Sequence, residues 1–346
     1  MSFLFPSSTI TIDAALRDLA TGSAKARAFA AQALGDVTDP TAKRRAVEAL
    51  VKALDDDLPE VRAEACGSLG ELGDPSAIPA ITKRLDDGAP VVRQHAAIAL
   101  GTIGHPNGFE PLATALREGP ADLRFQAATS LAEIDEKRAI DPLLAALDDK
   151  DPQVTGAVAL ALGALKEPRT IEPLAAKLAH PDPVTRFDVA YALADLGDDR
   201  GRSVLVAQVT DAERSWDAIT ALANLHGPDD IAALDKAMRD KKTPPESMVL
   251  AAGRILLHAP ESAFADVAQK ALIASLALRN VRVRGLAVEQ LGEAGGPWAR
   301  APLEKLGKSG KGTEIIDMIE LALRKIDARE KGIPFVDDED DLDDDE

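Results

Sequence analysis

From residue 59 the apolar positions of the chain return every 31 residues. Leu69, Leu100, Leu131, Leu162 and Leu193 share one slot, and Leu72, Ile103, Ile134, Leu165 and Leu196 a second. In the other half of the unit Ile81, Leu112, Leu143, Leu174 and Leu205 align, as do Leu85, Leu116, Leu147, Leu178 and Val209. Within a unit the apolar spacing is three and four, the period of an amphipathic helix. Ile78, Ile81 and Leu85 predict a first helix over 75–85, DDGAP (86–90) breaks it, and 91–104 predicts a second. Gly104 stands where a C-cap is needed, and Pro106 follows because it cannot easily continue the helix. Pro59, Pro90, Pro152 and Pro183 suit the first turn of second helices, where the backbone N–H has no partner anyway. A hairpin of this size cannot bury its own apolar face, so neighbouring hairpins must stack.

The unit extends outward with looser spacing. Residues 11–37 read as a first pair, 211–227 align with an offset of 29, 239–260 form the least regular unit, and 280–295 restore the pattern. The expected organisation is an N-terminal segment 1–11, a repeat array 12–306, a capping helix 313–327 and a disordered acidic tail 328–346. Two stretches, DDDLPEVRAEACGSLGELGDPSAIPAI (55–81) and DDGAPVVRQHAAIALGTIG (86–104), resemble the short HEAT repeat of the phycobilin-lyase type. The resemblance implies an all-α fold: a right-handed α-solenoid of stacked helical hairpins whose second helices line the concave side. It also implies that Arg62, Arg93, Arg124 and Arg186, which share a slot with Thr155, pair with aspartates of neighbouring units, for which Asp56, Asp87 and Asp149 are candidates.

Composition narrows the chemistry. Hydrophobic residues are 46% of the 346 and aromatics 3%, so the core is aliphatic and suited to helices. The net charge is −18; nine acidic residues in 337–346 supply half of it, and the body supplies the rest. An acidic body repels phosphate backbones, which argues against nucleic acid as a ligand. The single Cys66 excludes an internal disulfide and sits in a slot otherwise occupied by alanine, as a small core residue. The first residues lack the basic and long apolar regions of a signal peptide, and no stretch approaches a membrane span, so a cytoplasmic protein is expected.

Catalytic constellations are sparse. Deoxyhypusine hydroxylase is similar in repeat length, but its iron ligands come from His-Glu pairs, and this chain has none; His95 is followed by Ala96. His105, His226 and His258 each stand at a helix end, where imidazole complements the dipole. GKSGKGT (307–313) lacks the glycine five residues before its Gly-Lys pair and any preceding strand, so it reads as a linker. No metal, cofactor or catalytic residue is expected.

At 100° per residue, positions 61, 65, 69 and 72 of a second helix cluster on the core side, while 60, 63, 64, 67 and 71 lie opposite. Read down the array, that outward face carries Gln94, Ile98, Phe125, Leu160, Phe187, Tyr191 and Trp216. Four of the chain's eleven aromatics stand there, and Glu133, Asp188, Asp195 and Asp217 flank them. Gly156 and Ala157 between the two phenylalanines leave room for a bound segment. Aromatic anchors with a charged rim suit a partner interface. The expected function is a non-catalytic scaffold binding a protein partner, an apolar segment with basic residues, with the acidic tail competing for it or keeping the chain soluble. The alternative is a lyase-like subunit handling a tetrapyrrole on the aromatic face.

Overall fold

A computed structural model describes residues 11–225 and 227–335. Its helices come in pairs, odd-numbered first and even-numbered second. The first six pairs are α1 (Ile12–Thr21) and α2 (Ala24–Gly35), α3 (Pro40–Ala53) and α4 (Pro59–Leu72), α5 (Ile78–Thr82) and α6 (Pro90–Ile103), α7 (Phe109–Glu118) and α8 (Ala121–Ile134), α9 (Glu136–Ala146) and α10 (Pro152–Ala164), α11 (Ile171–Ala176) and α12 (Pro183–Asp195). The remaining four are α13 (Arg202–Val206) and α14 (Ser215–Leu225), α15 (Pro228–Arg239) and α16 (Pro245–His258), α17 (Ala265–Ser275) and α18 (Val281–Ala294), α19 (Pro297–Gly307) and α20 (Ile316–Lys331). There is no strand among the described residues. Contacts divide the chain into two units, Met1–Ala192 and Leu193–Glu346. Of the expected tail 328–346, residues 328–331 continue α20, and 336–346 lie outside the described residues, as does most of the segment 1–11.

The repeat register is a register of burial. Leu69, Leu100, Leu131 and Leu162 are all fully buried, as are Ile81, Leu112, Leu143 and Leu174. Removing such a leucine would cost about 2–5 kcal/mol, because the cavity does not collapse. The second slot behaves differently: Leu72 is buried, but Ile103, Ile134 and Leu165 are half-exposed. They occupy the last turn, where the chain leaves the stack.

The first helices α5, α11 and α13 are short, at five, six and five residues. The expected continuous helix over 75–85 is a 3₁₀ turn at Pro75–Ala77, the short α5, and a second 3₁₀ turn at Lys83–Asp86. Pro79 lacks an N–H and therefore lies in the first turn of α5. Second helices begin at the expected prolines 59, 90, 152 and 183. Gly73, Gly104 and Gly197 end them in the left-handed conformation, with φ of 64°, 66° and 76°. At the equivalent position Lys166 adopts φ 52° with a side chain that disfavours it.

Within the first unit consecutive second helices pack closely through small residues. A Cβ placed on Gly70 would lie 3.0 Å from the Ala99 Cα, and one on Gly163 only 2.6 Å from the Ala192 Cα. These glycines cost helix propensity, and close approach of the next backbone is what requires them.

The arginine slot is part of the same architecture. Arg62 donates from Nε and Nη2 to both oxygens of Asp87 at 2.8 and 2.7 Å, and from Nη1 to the Asp56 carbonyl at 2.9 Å. Arg124 makes the same fork to Asp149, and Arg27 to Asp56. Arg93 instead reaches Asp122 at 2.7 Å. Arg186 donates to the carbonyls of His180 and Pro181. Each arginine thus clamps the loop before its own helix, and most also hold an acidic side chain of the next repeat. The aspartates accept in turn from loop N–H groups, as Asp87 does from Ala89 and Asp149 from Asp151.

Candidate partner-binding face of the second helices

Among the described residues, the large apolar side chains left exposed in the first unit are Phe29, Val91, Ile98, Phe125, Leu160 and Val184. All six sit on second helices (α2, α6, α8, α10 and α12) and none on a first helix. Ile98, Phe125 and Leu160 are 41%, 42% and 39% exposed, as their register positions predict. Gln94 is half-buried on α6, and Glu133 near the end of α8 is exposed as a residue, with its carboxylate laid against Gly101 of α6.

Phe187 corrects the phase argument: it is only 6% exposed. The same register position is also covered at Ala63 and Gly156. Nor does Gly156 leave a gap. A Cβ there would meet the Asp188 carboxylate at 2.3 Å, so that half-buried side chain fills the space, and Ala157 is buried. His95, placed by phase toward water, is half-buried, with Nδ1 3.0 Å from the Ala63 carbonyl. His105 Nδ1 accepts from the Asn107 N–H at 3.2 Å, and so caps the following turn instead of the helix before it. His226 lies outside the described residues. Tyr191 is half-buried.

In the second unit Trp216 is 40% exposed on α14 and Asp217 beside it is exposed. Asp195 is half-buried and accepts from Asn224 Nδ2 at 3.1 Å.

The structure brings Gln94 and Phe125 together. They line a surface pocket of about 320 Å³ with Asp122, Asp151, Gln153 and Val154, at the N-terminal ends of α6, α8 and α10. Asp122 and Gln153 were missed because the register position of Val91, Asp122, Gln153 and Val184, although outward by phase, alternates between apolar and polar residues, and Asp151 because it precedes α10 as its N-cap. Larger clefts open between first helices, including one of about 450 Å³ bounded by Phe109, Leu116 and Pro142. Their apolar walls are already committed to the core: Phe109 and Leu116 are buried, and the Arg138 guanidinium covers the Phe109 ring at 3.8 Å. The second-helix face therefore offers the free apolar surface.

Electrostatically this face is acidic, and two of its carboxyls are partly desolvated. Burial pushes the Glu133 carboxyl above its ordinary range, where it leans over Gly101 of the preceding helix. Burial also raises Glu71, with Asp36 and Glu64 adding to the shift. On the ladder the Arg62 guanidinium holds Asp87 below the usual carboxylate range. Cys66 is fully buried, and burial drives its thiol up to about 12, far from a reactive thiolate.

No helix among the described residues is long and apolar enough to cross a membrane. No curated protein matches the chain. Among solved structures, importin beta is similar with a TM-score of 0.54 at 12% identity, covering 91% of this chain and 50% of that one. The complex of CpcE and CpcF of phycocyanin lyase from Nostoc sp. PCC7120 gives 0.39 at 22% identity, over 76% and 93% of the two chains. Human deoxyhypusine hydroxylase gives 0.34 at 19%, over 91% and 96%. The family profile of HEAT repeats matches residues 12–101, 78–159, 109–179 and 140–217, overlapping stretches that take in more than half of the sequence. The chain belongs to the HEAT-repeat family, and its fold is of the α-solenoid class.

Proposed function

We propose that this protein is a non-catalytic scaffold that binds a protein segment on the outward face of its second helices. The observation that carries the reading is the placement of exposed apolar side chains: among the described residues of the first unit, the large ones all stand on second helices. Apolar surface left in water on one face of a repeat stack costs stability unless a partner covers it. Ile98, Phe125 and Leu160 are the anchors, with Gln94 and Glu133 at the rim. Trp216 and Asp217 extend the reading to the second unit. The acidic character of the whole chain selects a partner segment with basic residues.

Affinity purification tests this, comparing the wild-type chain with an Ile98→Ser/Phe125→Ser/Leu160→Ser variant. Partners that survive purification with the wild type and vanish with the variant support the face. Identical recovery at equal melting temperature contradicts it. Should the purified protein absorb in the visible with a stoichiometric chromophore, the tetrapyrrole reading replaces the scaffold.

A further inference from the structure

We propose that the pocket beside Phe125 is a subsite for an arginine side chain of the bound segment, which deepens the scaffold reading and rests on it. The pocket has one wall of each kind that a guanidinium needs. The Phe125 ring is exposed, and no cation of the described residues stacks on it. The half-buried Ala121 offers an apolar wall for an aliphatic stem, with the buried Val154 behind it. Gln94 and Gln153 contribute neutral amide oxygens that can accept hydrogen bonds.

Charge settles which cation fits. Asp122 is paired with Arg93 at 2.7 Å. Arg124, the cation that feels the Asp151 charge, is held by Asp149 at 2.7 Å. Asp151 accepts from the Gln153 N–H at 2.9 Å through one oxygen, and no lysine or arginine of the described residues forms an ion pair with it. It is therefore the carboxylate of the pocket that has no ion pair among the described residues. A flat group with five donors can stack on the ring while bonding to a carboxylate and two amide oxygens. A compact, strongly hydrated ammonium stacks on a ring less often and lacks the planar fork that spreads its donors over separate acceptors. The N-terminal dipole of α10 offsets part of the Asp151 charge. The subsite alone therefore binds weakly, with Kd on the order of 1 mM, and gains affinity as part of a longer segment.

The test is a titration of the methyl-labelled full-length chain with N-acetyl-arginine methylamide, followed by NMR, and in parallel with the uncharged citrulline analogue. The expected result is saturable movement of the Val154 and Ala121 methyl signals with the arginine probe, and a response at least about tenfold weaker with citrulline. Asp151→Asn, which preserves the helix cap, and Phe125→Leu should each abolish saturation. Asp141→Asn on the first helix α9 removes the same charge elsewhere and should leave it intact. Equal responses to both probes, saturation retained in Asp151→Asn, or no response to arginine would overturn the subsite. The probe needs no partner, so loss of the arginine response alongside face-dependent partner binding would overturn the subsite alone.

Discussion

Arg124 of α8 and Asp149 in the loop before α10 meet in a two-pronged ion pair, 2.7 Å at each contact, with side chains 8% and 10% exposed. The pair joins a second helix to the next repeat, while Arg124 Nη1 holds the Gly119 carbonyl of its own loop at 2.9 Å. The sequence treats the two positions as a unit. Where the arginine is replaced by Thr155, the next repeat carries His180 in place of the acidic residue.

Breaking one partner should therefore cost more than replacing both. Asp149→His alone leaves a nearly buried guanidinium unpaired and should destabilise by about 2–4 kcal/mol. The double variant Arg124→Thr/Asp149→His, which copies the Thr155–His180 junction, should recover at least about 1 kcal/mol of that loss. Denaturant unfolding of the two variants measures the difference. Equal losses would mean that the ladder acts as independent contacts.

Two glycines in second helices should respond oppositely to alanine. At Gly163 the new Cβ would lie 2.6 Å from a backbone atom of the next helix, and overpacking of this kind costs about 1–3 kcal/mol. At Gly67 the nearest atom is the His95 Nδ1 at 3.8 Å, so Gly67→Ala should stabilise by about 0.5–1 kcal/mol through helix propensity. Thermal melts of both variants decide whether close approach is the reason for the glycines.

Lys166 holds a left-handed backbone where three other repeats place glycine. Lys166→Gly should raise stability by about 0.5–1 kcal/mol, an increase readable as a higher denaturation midpoint. No change would mean that the loop relaxes the strain elsewhere.

The pH dependence has two components of opposite sign. Asp87 titrates below its ordinary value, chiefly through Arg62. Its contribution is present above the unfolded aspartate value of about 3.9 and is lost as pH falls through the depressed folded value. Burial raises Glu133, so its ionisation weakens the fold as pH climbs from about 4.3 through the raised folded value. Glu133→Gln should thus raise the melting temperature at pH 7 and leave it unchanged near pH 3. The reverse order would contradict the burial of that carboxylate.

Most of the fold was legible because one period governs it. Leu69, Leu100, Leu131 and Leu162 repeat at a fixed interval and are buried for the same reason, and the caps Gly73 and Gly104 mark the same ends. The first helices were less legible, since Pro79 and the 3₁₀ turns depend on how each loop enters. The face was half legible. Phase placed Ile98, Phe125 and Leu160 in water, but a helix wheel cannot see the next helix, which fills the space at Gly156. The same blindness hid Asp122 and Asp151, which belong to a pocket only because three helices bring them together.

The central claim is that the second-helix face of the first unit holds the partner. Calorimetric titration of the recovered, purified partner tests it most directly, using the wild type, Ile98→Ser/Phe125→Ser/Leu160→Ser, and Lys83→Ser/Arg117→Ser/Lys137→Ser on the first helices and their flanking turns. The prediction is a loss of at least about tenfold in affinity for the apolar triple and a change within about twofold for the first-helix triple, at matched melting temperatures. Equal affinity of the apolar triple and the wild type, or a loss confined to the first-helix triple, would contradict it.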